Sequence, residues 1–206
     1  MPLPIVQDES ALGPAPDQAR WDERYRAGHH VEKSEISDWV LEQARYFRGG
    51  RALDVACGAG RHTLWLASLG YEVDAVDLSR EALKKLAREA ENANLQDRIR
   101  IIQADLTIWR PPADAYDLAL VVRYLNRDLF PALIAACRGG GLLLYRTFHT
   151  DLLRLRPEFN PEHLLEPGEL LRAFSPYELL AYEELRWHEG CATPLCCTSS
   201  ILVRIA

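Results

Sequence analysis

Residues 51–60 read Arg-Ala-Leu-Asp-Val-Ala-Cys-Gly-Ala-Gly, and residues 73–78 read Val-Asp-Ala-Val-Asp-Leu. The first run is apolar apart from Asp54, turns at Cys57-Gly58-Ala59-Gly60 and leads into a helical segment. The second run closes on an acid, Asp77. Strand, turn, helix, strand is the resulting order. Glycines between a buried strand and a helix let the backbone approach a ligand closely, and an acid one strand over can accept hydrogen bonds from ribose hydroxyls. In outline this is a nucleoside pocket.

The alternation continues downstream. Ser79 is a good helix N-cap, and Leu83, Leu86, Ala87 and Ala90 form one apolar stripe behind it. Residues 98–104 predict a third strand ending at Asp105, and residues 116–122, nearly all apolar, a fourth strand covered on both faces. A helix over 128–138 follows, with Pro131 in its first turn and Gly139-Gly140-Gly141 as its stop, and then a fifth strand over 142–147. Residues 149–167, rich in Pro, Glu and Arg, predict a long loop of the kind usually given to function or disorder. A short helix over 168–174 precedes two strands, 177–187 and 196–205, most economically joined as a terminal hairpin.

Upstream, residues 1–16 carry prolines, a glycine and few large apolar groups, which predicts a flexible tail. Residues 17–50 predict two helices. Trp21 and Tyr25 share one face of the first, which Gly28 ends, and Ile36, Val40, Ala44 and Phe47 pattern the second over 35–47. This pair either covers a face of the sheet or closes over a ligand as a lid, with Trp21 and Tyr25 as its inner aromatics. Residues 51–206 make the core domain in both cases.

A chain of 206 residues, 48% hydrophobic and 26% charged, suits one well-buried α/β domain. Its net charge of -6 argues against a broad nucleic-acid face or an anionic membrane partner. No apolar stretch approaches the roughly 20 residues that span a bilayer, and no basic flank with an apolar core opens the chain, so a cytoplasmic location is expected. Five cysteines, odd in number and scattered, predict mostly reduced thiols.

Repeated strand-helix units with a glycine turn after the first strand give a doubly wound α/β sheet, with its ligand at the carboxyl ends of the strands near the switch point. A dinucleotide site wants a third glycine in G-x-G-x-x-G, but Gly58-Ala59-Gly60-Arg61-His62 runs on to Thr63. No G-x-x-x-x-G-K-[ST] phosphate loop exists either. A nucleoside without a pyrophosphate remains.

These residues resemble the class I S-adenosylmethionine-dependent methyltransferases, whose first motif, an acid followed by small residues and glycines, reads here Asp54-Val55-Ala56-Cys57-Gly58-Ala59-Gly60. The resemblance runs from Trp21 to the C-terminus. Within the class, Cys57-Gly58-Ala59-Gly60-Arg61, Leu64-Trp65-Leu66-Ala67 and Pro167-Gly168-Glu169-Leu170-Leu171-Arg172 are similar to the tellurite-resistance type and its uncharacterised bacterial relatives. Ala56 replaces the first glycine, and His62 stands where those relatives usually have Asn. The resemblance implies a mostly parallel, seven-stranded Rossmann-like sheet with a C-terminal antiparallel hairpin at one edge. It implies S-adenosyl-L-methionine as cofactor, with Gly58 and Gly60 along its methionine part, Asp77 on the ribose, and Asp105 with Leu106 at the adenine. Asp54, Ala56, Cys57, Leu78 and Arg123 complete the implied contact set.

Methyl transfer from a sulfonium is an in-line displacement in which positive charge disappears, so alignment and exclusion of water can carry much of the catalysis. A base is needed only when the nucleophile arrives protonated. The carboxyl ends of strands four and five offer Arg123, Tyr124, Arg146, Phe148 and His149. Arg123 and Arg146 suggest a small anionic methyl acceptor clamped by guanidinium groups, with His149 as candidate base. The plainer alternatives are local ion pairs with Asp128, Asp151 or Glu166, and an exposed loop histidine. Asp74 is expected at a solvent or helix boundary. His188, Cys191, Cys196 and Cys197 match no familiar zinc spacing, and adjacent strand residues point to opposite faces, so no metal is expected. Two other functions stay open: a catalytically silent module that binds S-adenosylmethionine or S-adenosylhomocysteine, and an RNA or protein methyltransferase. The acidic charge and the lack of an Asn/Asp-Pro-Pro-Tyr string count against the latter.

Overall fold

A computed structural model describes residues 3–12, 15–28 and 35–206. In chain order the elements are β1 (Ile5–Gln7), α1 (Ala15–Arg26), α2 (Asp38–Gln43), β2 (Arg51–Val55), α3 (Arg61–Ser68), β3 (Glu72–Asp77), α4 (Arg80–Asn92) and β4 (Ile99–Gln103). There follow β5 (Tyr116–Val122), α5 (Phe130–Ala136), β6 (Cys137–Phe148), α6 (Glu169–Ala173), β7 (Glu178–Leu185) and β8 (Thr198–Arg204). The sheet has eight strands in the order β1-β4-β3-β2-β5-β6-β8-β7. All neighbours pair in parallel except β8, which runs antiparallel to both β6 and β7. The chain leaves β2 toward β3 and β4 and returns on the other side at β5, so the switch point lies between β2 and β5.

Period-two alternation splits the strands between two apolar layers. Ala52, Val73, Ala75, Leu118, Leu120, Leu142 and Leu144 face Val40, Leu66, Leu83 and Leu86 from the helices of one side. Leu53, Val55, Val76, Ala119, Val121, Leu143 and Tyr145 face Leu129, Phe130, Leu133, Leu170 and Phe174 on the other. With both faces covered, the central strands read as near-continuous apolar runs.

Several expectations change. The predicted seven strands become eight because part of the presumed tail is ordered: Ile5, Val6 and Gln7 pair in register with Ile101, Ile102 and Gln103. The small apolar content of this segment predicts mobility, whereas the free backbone groups of the β4 edge hold it. Residues 1, 2, 13 and 14 of that tail, and 29–34 of the N-terminal segment, lie outside the described residues. The second N-terminal helix is shorter than expected, beginning where Ser37 caps Val40 and passing into a 3-10 turn over 44–46. The triple glycine does not stop a long helix; it opens β6, which starts at Cys137. Asp74 is buried rather than peripheral, accepting from the Tyr116 hydroxyl at 2.7 Å and pairing with Arg51 at 3.1 Å. The long loop is folded too, with 3-10 turns over 150–154 and 161–163 and a bridge between His149 and Leu165. Among the described residues no helix is long and apolar enough to cross a membrane.

Candidate functional site

At the carboxyl end of β2 the backbone reverses through Ala56 (φ 55°), Gly58 (φ 57°) and Gly60 (φ 83°), and α3 starts at Arg61. The two glycines are required for different reasons. A Cβ on Gly60 would collide with the Leu86 side chain of α4, so this glycine serves helix packing. A Cβ on Gly58 would collide with the Tyr25 hydroxyl of α1, which lies over the turn. Asp54, buried at the base, accepts a 2.6 Å hydrogen bond from the Thr63 hydroxyl in the first turn of α3. Burial pushes its pKa up to about 7 against the opposing pull of Thr63 and Arg61.

Asp77, at the tip of β3, holds the turn from the side. One carboxylate oxygen accepts from the Gly58 amide at 2.8 Å and the other from the Ser79 amide at 2.8 Å. Two backbone donors leave lone pairs free on both oxygens, which suits a ribose diol. Asp105, just past β4, accepts from the amide and the hydroxyl of Thr107 through a single oxygen, Oδ1. Beside it Leu106 is buried and its carbonyl accepts from Asn126, while the Leu78 carbonyl accepts from Gln103. Asp54, Ala56, Cys57, Gly58, Gly60, Asp77, Leu78, Asp105 and Leu106 thus all cluster at the carboxyl ends of β2, β3 and β4.

The first N-terminal helix is latched over this cluster. Asp22 of α1 accepts from the Ser79 hydroxyl at 2.7 Å and from the Glu81 amide at 3.0 Å, so it shares the N-terminus of α4 with the Ser79 cap. Lys85 of α4 donates to the Tyr25 carbonyl. Burial first, then the charge of Asp77, raises the Tyr25 phenol pKa and keeps it protonated.

On the acceptor side the structure separates the predicted residues. Arg123 lies just beyond β5 in a left-handed conformation (φ 62°), with its amide donating to the Arg146 carbonyl at 2.8 Å. Arg146 itself is buried, donating to Glu183 at 3.0 Å and to the Ser200 hydroxyl at 2.6 Å with its guanidinium over the Trp39 ring. His149 is fully buried, with Nε2 2.8 Å from the Leu185 carbonyl and Nδ1 accepting from the Asp151 amide at 3.3 Å. Those contacts fix the neutral tautomer with its proton on Nε2. Arg146 and His149 are therefore engaged in holding β6, β8 and β7 together, contrary to the acceptor-binding and base roles expected of them. Cys191 and Cys196 form a disulfide, which corrects the expectation for those two thiols; Cys57, Cys137 and Cys197 are free and buried. Cys196 and Cys197 lie in a 3-10 turn rather than a strand.

Residues 52–140 match the profile of a family described as a methyltransferase domain. That stretch of the chain is thus similar to methyltransferase domains. It is 25% identical over 150 residues to the probable S-adenosyl-L-methionine-dependent methyltransferase TehB of Haemophilus influenzae, covering 70% of this chain and 52% of that protein. It thus spans about half the length of that relative. To the ubiquinone biosynthesis O-methyltransferase of Bordetella avium it is 24% identical, covering 74% of this chain and 72% of that one. The crystal structure of Haemophilus influenzae TehB superposes with a TM-score of 0.68 at 21% identity, over 90% of this chain and 67% of that chain. This last likeness is one of fold.

The candidate site has residues that sequence patterns do not single out. Thr63, which in the sequence reads only as a missing glycine, anchors Asp54. Asn126 and Gln103 donate to the Leu106 and Leu78 carbonyls, contacts that no spacing rule reveals. His62, where the resembled relatives usually have Asn, is buried, and among the described residues its Nε2 has no hydrogen-bond partner; burial, reinforced by Arg61 and Arg123, drives its pKa down to about 3.

Proposed function

We propose that the protein transfers the methyl group of S-adenosylmethionine to a small-molecule acceptor. The observation that carries this is the Asp77 clasp, in which one carboxylate ties the glycine turn of β2 to the start of α4 and keeps acceptor capacity for a ribose. S-adenosylmethionine supplies an electrophilic methyl group on a sulfonium. Gly58 gives backbone access along the methionine part, Asp77 accepts from the ribose hydroxyls, and Asp105 with Leu106 flanks the adenine. Asp105 Oδ2, which accepts no hydrogen bond among the described residues, and the buried Leu106 side chain suit that role.

The α1 helix acts as a lid over the donor. Its Tyr25 hydroxyl sits against Gly58, and Asp22 and Lys85 fix the helix to α4. Closing this roof excludes water from a displacement that destroys charge, which is where alignment and desolvation contribute most. No protein base is assigned, since His149 is spent on backbone contacts. The acceptor accordingly arrives as an anion or an already deprotonated nucleophile.

Calorimetry with S-adenosylhomocysteine tests the donor site, and a labelled-methyl screen over small carboxylates, phenols, thiols and oxyanions tests transfer. Micromolar binding with transfer to one class supports the proposal. Absence of nucleoside binding ends it, and binding without transfer to any acceptor points instead to a sensing module.

A further inference from the structure

We infer that the N-terminal strap, residues 3–12, is a positioning element of the donor site, setting the tips of β3 and β4 so that the Asp105 carboxylate can read the base. This rests on the methyl-transfer reading above and adds Gln7, Ala11 and Gln103 to the residues on which that site depends.

The strap runs on past the strand it forms. Gln7 pairs with Gln103, and the Asp8 amide then donates to the Gln103 carbonyl at 3.1 Å. A 3-10 turn over 9–11 follows, braced by the Ser10 hydroxyl, which donates to Asp8 at 2.6 Å. At its end the Ala11 carbonyl accepts from the Asp105 amide at 2.6 Å. On the β3 side the Asp77 carbonyl takes the Ala104 amide at 3.1 Å, so Asp105 is the residue whose amide turns to the strap. Covering the β4 edge requires only the three-residue ladder; the turn beyond it reaches the site.

Asp105 is held from every other direction as well. Its carbonyl accepts from Ile108 at 3.1 Å and Trp109 at 2.8 Å, and Oδ1 accepts from the amide and hydroxyl of Thr107. Among the described residues Oδ2 accepts no hydrogen bond, and the exocyclic amino group of adenine is a donor that matches it. Ala11 is buried in the apolar layer that includes Ala104, Leu106 and Trp109, which seats the turn.

Gln103 ties the same strap to the neighbouring tip. Its side chain is buried, which is costly for an amide without partners. The partners are the strap and β3: Gln7 Nε2 donates to its Oε1 at 3.1 Å, and its own Nε2 donates at 3.3 Å to the carbonyl of Leu78, the residue after Asp77. One side chain therefore links β1 to the residue beside the ribose acid.

Calorimetry with S-adenosylhomocysteine and S-inosylhomocysteine tests this, because the second ligand carries a carbonyl where adenine has its amino group. Wild type is expected to prefer the adenosyl ligand at least about tenfold, the worth of a hydrogen bond to a charged group, and Asp105→Asn to lose that preference. Ala11→Phe, which wedges the turn away from Asp105, should reduce the preference to under about threefold, and Gln7→Ala should roughly halve it. In an Asp105→Asn background Ala11→Phe should change it no further. A preference retained in Ala11→Phe, with both ligands weakened equally or not at all, makes the strap an edge cover and overturns the inference. Equal wild-type affinity for the two ligands overturns it too. Should Ala11→Phe not fold, Gln7→Ala, at an exposed side chain, decides alone. Failure of the underlying methyl-transfer reading looks different, because the wild type then binds neither ligand.

Discussion

The Thr63 hydroxyl donates to the Asp54 carboxylate across 2.6 Å, with both side chains buried beneath the glycine turn. The residue that breaks the dinucleotide fingerprint is therefore the residue that satisfies the acid of the first motif. Thr63→Val keeps shape and removes the donor. It is expected to lower unfolding free energy by about 1–3 kcal/mol, the cost of leaving a buried acceptor unmade. Thr63→Ser keeps the hydroxyl and should lose less than half of that. Urea unfolding of the two variants provides the comparison, and equal losses would assign the effect to packing instead.

Asp54 also sets a pH dependence. Its pKa is raised from 3.8 to about 7 in the folded protein, mainly by burial, so the folded state holds the proton more tightly than the unfolded chain. For a raised pKa the stabilising contribution is complete below the unfolded value and is lost as pH climbs through the folded one. Ligand-free wild type should therefore lose stability from pH 4 to 7 relative to Asp54→Asn, with a slope approaching about 1.4 kcal/mol per pH unit. Parallel Tm profiles for the two proteins across that window would place the titration elsewhere.

The residues proposed for the donor are legible in the sequence because their signals are local. Asp54 and Asp77 lie at the ends of apolar strands, Gly58 and Gly60 in the turn after β2 and Asp105 just past β4, and a parallel strand presents its carboxyl end to the ligand whatever its neighbours do. The acceptor half depends on pairing between distant strands. Arg146 lies opposite Ser200 of β8, which lies opposite Glu183 of β7. Nothing within a few residues of Arg146 announces that its guanidinium will turn beneath Trp39 toward them. The β1 strand escaped for a related reason: three residues contribute little apolar surface, and their order comes from a ladder with Ile101, Ile102 and Gln103, almost a hundred residues away.

His149 is expected to behave as a structural residue. Substitution by alanine leaves the Asp151 amide and the Leu185 carbonyl unpaired and opens a cavity at a site with no solvent exposure. A loss of about 2–4 kcal/mol in unfolding free energy follows, with S-adenosylhomocysteine affinity within threefold of wild type below the melting transition. Unfolding curves and calorimetry on His149→Ala decide it. Unchanged stability with abolished methyl transfer would return His149 to the chemistry.

The latch on α1 yields a prediction that separates lid from scaffold. Asp22 accepts from Ser79 and Glu81 at the start of α4, and Ser79 retains its own cap on Ala82 when Asp22 is removed. Asp22→Ala should therefore leave α4 in place and free α1, at a stability cost of about 1 kcal/mol for the lost hydrogen bonds. Amide exchange in residues 15–26 should rise while exchange in 80–92 stays slow. With the Tyr25 hydroxyl no longer held over Gly58, S-adenosylhomocysteine should bind about tenfold more weakly, chiefly through faster dissociation. Tyr25→Ala should produce the same weakening without the rise in α1 exchange, because Asp22 still holds the helix. If exchange in α1 rises in Asp22→Ala and nucleoside affinity does not move, α1 is a cover for α4 and has no part in closing the donor pocket.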